Sequence, residues 1–208
     1  MSHHKLVFAV LAAAAVIPTT AFAQASGRVA DAVTDNLTPQ DREVLSTAEQ
    51  LAHDVSQILE QWVSTQAVTE ERLFSRLYFP IPNTSPKKWT TPYDALADRD
   101  VIGPEDKALT RSPALQYAIL TDLNGYVPTH NTRFAQPLTG NVSQDYINNR
   151  TKRLLSDTAS LVAARNAARF LLQRTRSETG DTVYDLSVPV TVRGKHWGCV
   201  RIGYRRTE

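Results

Sequence analysis

The chain has 208 residues, of which 42% are hydrophobic, 23 are Lys or Arg and 21 are Asp or Glu. That near-balance excludes the electrostatic footprint of a nucleic-acid binder or an anionic-membrane binder, and the single cysteine, Cys199, excludes an internal disulfide. The length suffices for one well-buried domain with a helical extension.

At the N-terminus, Lys5 precedes an uncharged apolar run over 6–17, and Thr19-Thr-Ala-Phe-Ala23 ends in the small-x-small pattern read by signal peptidase. This predicts a cleavable leader over 1–23. The alternative is an uncleaved anchor, but the run is far shorter than the roughly 20 apolar residues a membrane span requires. No Cys stands there to carry a lipid. Removing Lys5 with the leader leaves 22 basic against 21 acidic residues, a formal charge of +1. The expected product is an exported, periplasmic protein.

Residues 24–37 lack periodicity and read as a flexible lead-in. Thr38-Pro-Gln-Asp41 is a helix start, with a Thr cap, Pro at the first position and a carboxylate at the third. Val44, Ala48, Leu51, Val55, Ile58 and Trp62 recur at steps of three and four, which predicts an amphipathic helix to Ser64. A second short helix is expected from Thr69, with Leu73, Phe74, Leu77 and Tyr78 on its apolar side, so that 38–78 forms an N-terminal helical segment. Pro80, Pro82, Pro86 and Pro92 then forbid helix or central strand. The segment 79–113 is expected as a Pro-rich linker laid over the domain, pinned by Trp89 and Tyr93. Its 94–110 part is helical only at its two ends, broken at Gly103-Pro104.

From Ala114 the pattern turns to strands, which sets the core at 114–208. A strand over 115–121 leads through an Asn124-Gly125 turn to a return strand over 126–129. A mostly helical stretch is expected over 142–167, followed by strands at 169–175, 182–192 and 196–204, the first two joined by a turn at 178–181. Cys199, inside an apolar strand pattern, reads as a buried inert thiol. The basic group Arg201, Arg205 and Arg206 reads as a solvated strand end. The fold class is α+β: a five-stranded antiparallel sheet with inserted helices and a long N-terminal helix.

Several blocks give this order a family likeness. Asp122-Leu-Asn-Gly-Tyr-Val-Pro-Thr-His-Asn131, Gln136-Pro-Leu-Thr-Gly140, Asn149-Arg-Thr-Lys-Arg153 and Ala163-Ala-Arg-Asn166 are followed by Asp185-Leu-Ser-Val-Pro189, Gly194-Lys-His-Trp-Gly198 and Arg201-Ile-Gly-Tyr204. Over about 70–205 the chain resembles the PAS/Cache-like sensor module of bacterial methyl-accepting chemotaxis proteins. The resemblance implies signal transduction by a ligand-sensing domain, with its pocket between the sheet and the inserted helices. Unlike those receptors, the sequence carries no heptad-repeat signalling hairpin, so a membrane-bound signalling partner is expected to supply the output.

Candidate ligand contacts follow from side-chain chemistry. His130 and His196 stand at strand ends, where each can donate to an anionic ligand, ligate haem axially, or simply cap its strand. Arg165 and Asn166 precede the third long strand, and a guanidinium there could grip both oxygens of a carboxylate. Tyr117, Phe170, Tyr184 and Trp197 can line an apolar pocket or fill a core. Asp185 sits among apolar neighbours, and if it points inward it must be paired, by an Arg or by the amine of an amino-acid ligand. No nucleophile elbow, phosphate loop or metal-ligand spacing is present, so binding without catalysis is expected. Three readings stay open: a periplasmic small-molecule sensor for a carboxylate or amino acid, with no cofactor; a haem sensor using a histidine; and a ligand-free module dimerising through the stripe from Val44 to Trp62.

Overall fold

A computed structural model describes residues 37–176 and 182–207. The expected leader and lead-in, and the 178–181 turn, lie outside them. Helix α1 (Pro39–Ser64) begins where the sequence places it. The Thr38 hydroxyl accepts from the Asp41 backbone N–H at 3.1 Å, and the Asp41 carboxylate accepts from the Thr38 N–H at 2.8 Å. This reciprocal box satisfies two backbone donors that the first turn would otherwise leave open. Asp41 also accepts from the Tyr204 hydroxyl at 2.5 Å and pairs with Arg206 at 2.8 Å. One carboxylate thus fastens the start of the first helix to the end of the last strand.

The main sheet is antiparallel and four-stranded, in the order β3 (Leu115–Asp122), β8 (Lys195–Tyr204), β7 (Thr182–Val192), β6 (Leu171–Arg176). Alternation along these strands divides its residues between two faces. One face presents Ala118, Leu120, Leu186, Val188, Val190, Val200 and Ile202, all buried in a common core with Val44, Leu51, Val55, Leu59 and Trp62 of α1. The stripe expected as a possible dimer seam is therefore consumed by the chain's own sheet. The opposite face carries Tyr117, Thr121, Asp185, Ser187, Cys199 and Arg201. Helix α6 (Thr158–Arg165), capped by Asp157, covers it, with Ala163 and Ala164 packed against Cys199.

The return strand expected over 126–129 is not part of this sheet. The chain turns at Asn124-Gly125, but β4 (Tyr126–Val127) is two residues long and pairs with β5 (Arg153–Leu154). Two features redirect it. The Asp122 carboxylate accepts from the backbone N–H groups of Asn124 at 2.9 Å and Tyr126 at 3.0 Å, which winds the chain away from β3. Two edge donors of β3 are also taken by side chains: Ala118 N–H by Asn131 Oδ1 and Leu120 N–H by Glu105 Oε1, at 2.9 and 2.8 Å. Side-chain acceptors there leave no ladder for a return strand and blunt an edge that could otherwise recruit another chain.

Other differences are smaller. The stretch 142–167 is two helices, α5 (Val142–Asn148) and α6, separated by β5. The second helix, α2 (Glu70–Leu73), stops early, and the chain beyond it delivers Arg76 and Tyr78 to Asp122, the tyrosine at 2.5 Å. The Pro-rich segment contains a small antiparallel ladder, β1 (Phe79–Ile81) with β2 (Lys88–Thr90), then α3 (Asp94–Asp100) and α4 (Ile102–Leu109). Among the described residues no helix is long and apolar enough to cross a membrane.

Candidate functional site

Beneath α6, the polar face holds a buried ion pair. Asp185 on β7 is wholly buried and Arg201 on β8 is 5% exposed. The guanidinium donates through Nε at 3.1 Å and Nη2 at 2.5 Å to Asp185 Oδ2. Its Nη1 donates to Ser160 Oγ at 3.0 Å, and that hydroxyl donates to Asp157 Oδ2 at 2.7 Å. From β3, the Tyr117 hydroxyl donates to the same Asp185 oxygen at 2.5 Å. Gly203 makes this reach possible: it pairs with Tyr117 on one side and Asp185 on the other, and a Cβ there would lie 2.2 Å from the tyrosine ring.

Burial alone would pull the Arg201 guanidinium down, but Asp185 beside it holds it above its ordinary value. The Tyr117 hydroxyl is driven well above its usual value by burial first and by the Asp185 charge second. The Cys199 thiol is pushed up to about 12 by burial, so it stays protonated and unreactive.

A second polar centre follows β4. Thr129 is wholly buried and His130 is 4% exposed. The His130 ring stands edge-on to Phe134, with centroids 5.1 Å apart, and 6.5 Å from the Tyr117 ring. Tyr117 therefore touches both centres, one through its ring and one through its hydroxyl. Burial, and then Arg150, Arg133, Arg153 and Lys88, drive the His130 imidazole down to about 3, so it is neutral near pH 7. Lys88 is itself drawn down to about 8 by burial and by Arg153 and Lys152. Its ammonium donates to Asn149 Oδ1 and to the Thr151 carbonyl, pinning the loop before β5.

Of the residues singled out from sequence, Tyr117, Asp185 and His130 are brought onto one side of the sheet. The others lie elsewhere. Trp197 is fully buried in the apolar core, its indole N–H donating to the Leu73 carbonyl at 2.9 Å and its ring edge-on to Tyr93. Phe170 and Tyr184 pack against the α1-side core, and the Arg206 guanidinium lies 4.0 Å from the Tyr184 ring centroid. Arg165 is exposed and donates to the Leu123 carbonyl at 3.2 Å, while Asn166 closes its own loop onto Ala168. His196 bonds the Gly198 carbonyl through Nε2 at 2.8 Å.

Arg201 corrects the reading of a solvated strand end: it is buried because Asp185 lies diagonally across the β7–β8 pairing. Its position between Val200 and Ile202 in a strand was the available signal. Arg133 and Ser160 carried no such pattern. Two clefts among the described residues lie away from this face. The first, of about 220 Å³, is lined by Ser46, Gln50, Asp54, Lys107 and Arg111, and the second by Gln40, Glu43, Gln116 and Arg205. Neither offers a convergent set of buried polar groups, and the polar face remains the better candidate.

No protein-family model matches the sequence, and no curated protein is significantly similar to it. Among solved structures, the chain is similar to an extracellular ligand binding receptor from Desulfohalobium retbaense DSM5692, with a TM-score of 0.37 and 12% identity over 81% of this chain. The chain spans 26% of that protein's length.

Proposed function

We propose that this chain is a PAS/Cache-like sensor module of the periplasm, which binds a small molecule between the polar face of its sheet and helix α6 and acts by binding, not catalysis. The observation that carries this reading is the Asp185–Arg201 pair with Tyr117, buried under an eight-residue helix. A buried ion pair stabilises a fold no better than apolar residues of similar volume. The other face of the same sheet meets α1 mainly through apolar side chains, with Asp41 and Tyr204 its charged contact at the helix start, whereas the charge beneath α6 lies in mid-sheet. A carboxylate and a guanidinium held side by side can instead be exchanged, one partner at a time, for the amine or carboxylate of a ligand. The leader supplies the address, and a membrane-bound signalling protein is the proposed partner.

The test is a thermal-shift screen of the purified chain against small carboxylic acids, amines and amino acids. A saturable rise in Tm is expected, lost in Asp185→Asn and in Arg201→Gln. A screen with no stabilising compound, or one whose hits survive both substitutions, overturns the reading. The haem alternative requires a histidine open to iron. His196 already bonds a carbonyl and His130 is enclosed by Phe134 and Tyr117. A Soret band after adding haem to the purified chain, lost in His130→Ala, would replace the present proposal.

A further inference from the structure

The loop after β4 holds two buried polar groups that the fold does not satisfy. Thr129 Oγ1 and His130 Nδ1 have no hydrogen-bond partner within the protein, although Thr129 is wholly buried and His130 is 4% exposed. An unpaired buried polar group is destabilising, and buried polar groups are otherwise paired almost without exception. The two belong to consecutive residues of one loop.

The surroundings fix the charge of that group. The Arg133 and Arg150 guanidinium carbons lie 4.8 and 4.3 Å from the Phe134 ring centroid, and Phe134 packs on His130. Lys88 and Arg153 add positive potential at the imidazole. Arg133, Arg150 and Lys88 direct donors to the carbonyls of Gln116, Ile147 and Thr151, and among the described residues they form no ion pair. The carboxylates nearby accept from neutral donors, Asp106 from Thr132 and Asp145 from Thr139 and Gly140, and offset part of the charge of Arg133 and Lys88. Four cations, Lys88, Arg133, Arg150 and Arg153, thus gather around His130 with two carboxylates nearby, and the excess of positive charge raises the local concentration of anions. Arg133 is exposed and Arg150 half-buried, so the cluster is open to solvent while the two orphan atoms lie inside.

We infer that Thr129 and His130, flanked by Arg133 and Arg150, recognise a compact oxyanion, a carboxylate or phosphate group, on the ligand of the sensor module. The inference rests on the ligand-binding reading above and names the chemistry of one end of that ligand. The Thr129 hydroxyl donates to the oxyanion, His130 donates from Nδ1 in the tautomer that protonates it, and the guanidiniums contribute charge-assisted bonds. Tyr117 lies edge-on to His130 at 6.5 Å and reaches Asp185 with its hydroxyl. The rest of the ligand then extends along Tyr117 toward the Asp185–Arg201 pair.

The test titrates the full chain with sodium phosphate, sodium acetate and sodium pyruvate, each against sodium chloride at matched ionic strength, by thermal shift and calorimetry. At least one oxyanion is expected to stabilise the chain saturably where chloride does not. Affinity should fall about tenfold in Arg133→Gln and in Arg150→Gln, which lie at the surface and leave the core intact. Stabilisation by phosphate alone assigns the site to free phosphate, and stabilisation by the carboxylates assigns it to an organic acid. Because His130→Asn touches the interior, the His130 Nδ1 resonance of the unsubstituted chain gives a second readout, expected to shift on saturation. The inference is overturned if no oxyanion exceeds chloride, or if both arginine variants bind with unchanged affinity and the Nδ1 resonance stays in place. An amine that stabilises the chain through Asp185 while these variants are inert would keep the sensor reading and remove the oxyanion.

Discussion

The two faces of one sheet obey different rules, although adjacent residues of the same strands build them. On β7, Leu186 points to α1 and is fully buried among Leu59, Val188 and Ile202, while Asp185 points to α6 and is equally buried against Arg201 and Tyr117. Burial is thus the same on both sides and only the chemistry differs. The α1 face is held by apolar area, at roughly 25 cal/mol per Å² removed from water. The α6 face is held by a few directional bonds, each worth about 1 kcal/mol net and far more costly to break singly. A face of the first kind tolerates volume-conserving change, and a face of the second kind specifies which groups sit opposite one another.

The sharpest way to break this contrast is to remove one member of the ion pair. Asp185→Ala leaves the Arg201 charge buried and unpaired, so a loss of about 3–5 kcal/mol is expected in urea denaturation. Asp185→Leu combined with Arg201→Met should recover most of that loss, because the pair as a whole contributes little. Equal losses for the single and the double variant would show that the pair stabilises the fold after all. One residue along, Leu186→Ala is expected to cost about 2–5 kcal/mol through the cavity it leaves. That variant should bind ligand with unchanged affinity, and a loss of affinity would mean that the two faces are not independent.

What was legible in the sequence follows the same division. The α1 face rests on local signals, a Thr-Pro-Gln-Asp start and a stripe of period 3.6, and the helix runs from Pro39 to Ser64 as read. The strands at the C-terminal end also stand close to their expected bounds. The α6 face depends on pairings between residues far apart in the chain. Asp185 was recognisable as a carboxylate in need of a partner, but the partner is set by strand register, which alternation alone does not supply. The return strand differs from its expected place because its ladder is blocked by Glu105 and Asn131, side chains whose arrival at β3 no local pattern announces.

Acidification sharpens the comparison at a smaller scale, because the α6 side also carries a buried histidine. In the folded chain His130 is driven down to about 3 from 6.5, first by burial and then by the surrounding cations. Between those values the unfolded chain binds a proton that the folded chain does not, so stability rises with pH there. The contribution is therefore complete above about pH 6.5 and lost as pH falls toward 3. Carboxylates titrate in the same window, so the informative quantity is the difference between the unsubstituted chain and His130→Gln. The variant should lose Tm less steeply between pH 6.5 and 4, and identical slopes would place the imidazole in solvent.

The smallest effect concerns the helix that covers the apolar face. Thr38→Ala removes the acceptor for the Asp41 N–H, and capping substitutions of this kind cost about 1 kcal/mol. The Asp41 carboxylate keeps its bonds to Tyr204 and Arg206 and continues to tie the helix to β8. The loss should therefore be confined to fraying of the first turn, visible as faster amide exchange at 40–42 with the sheet amides unchanged. If the sheet exchanges faster as well, the cap and the strand end unfold together, and the Asp41 junction is a cooperative part of the apolar core.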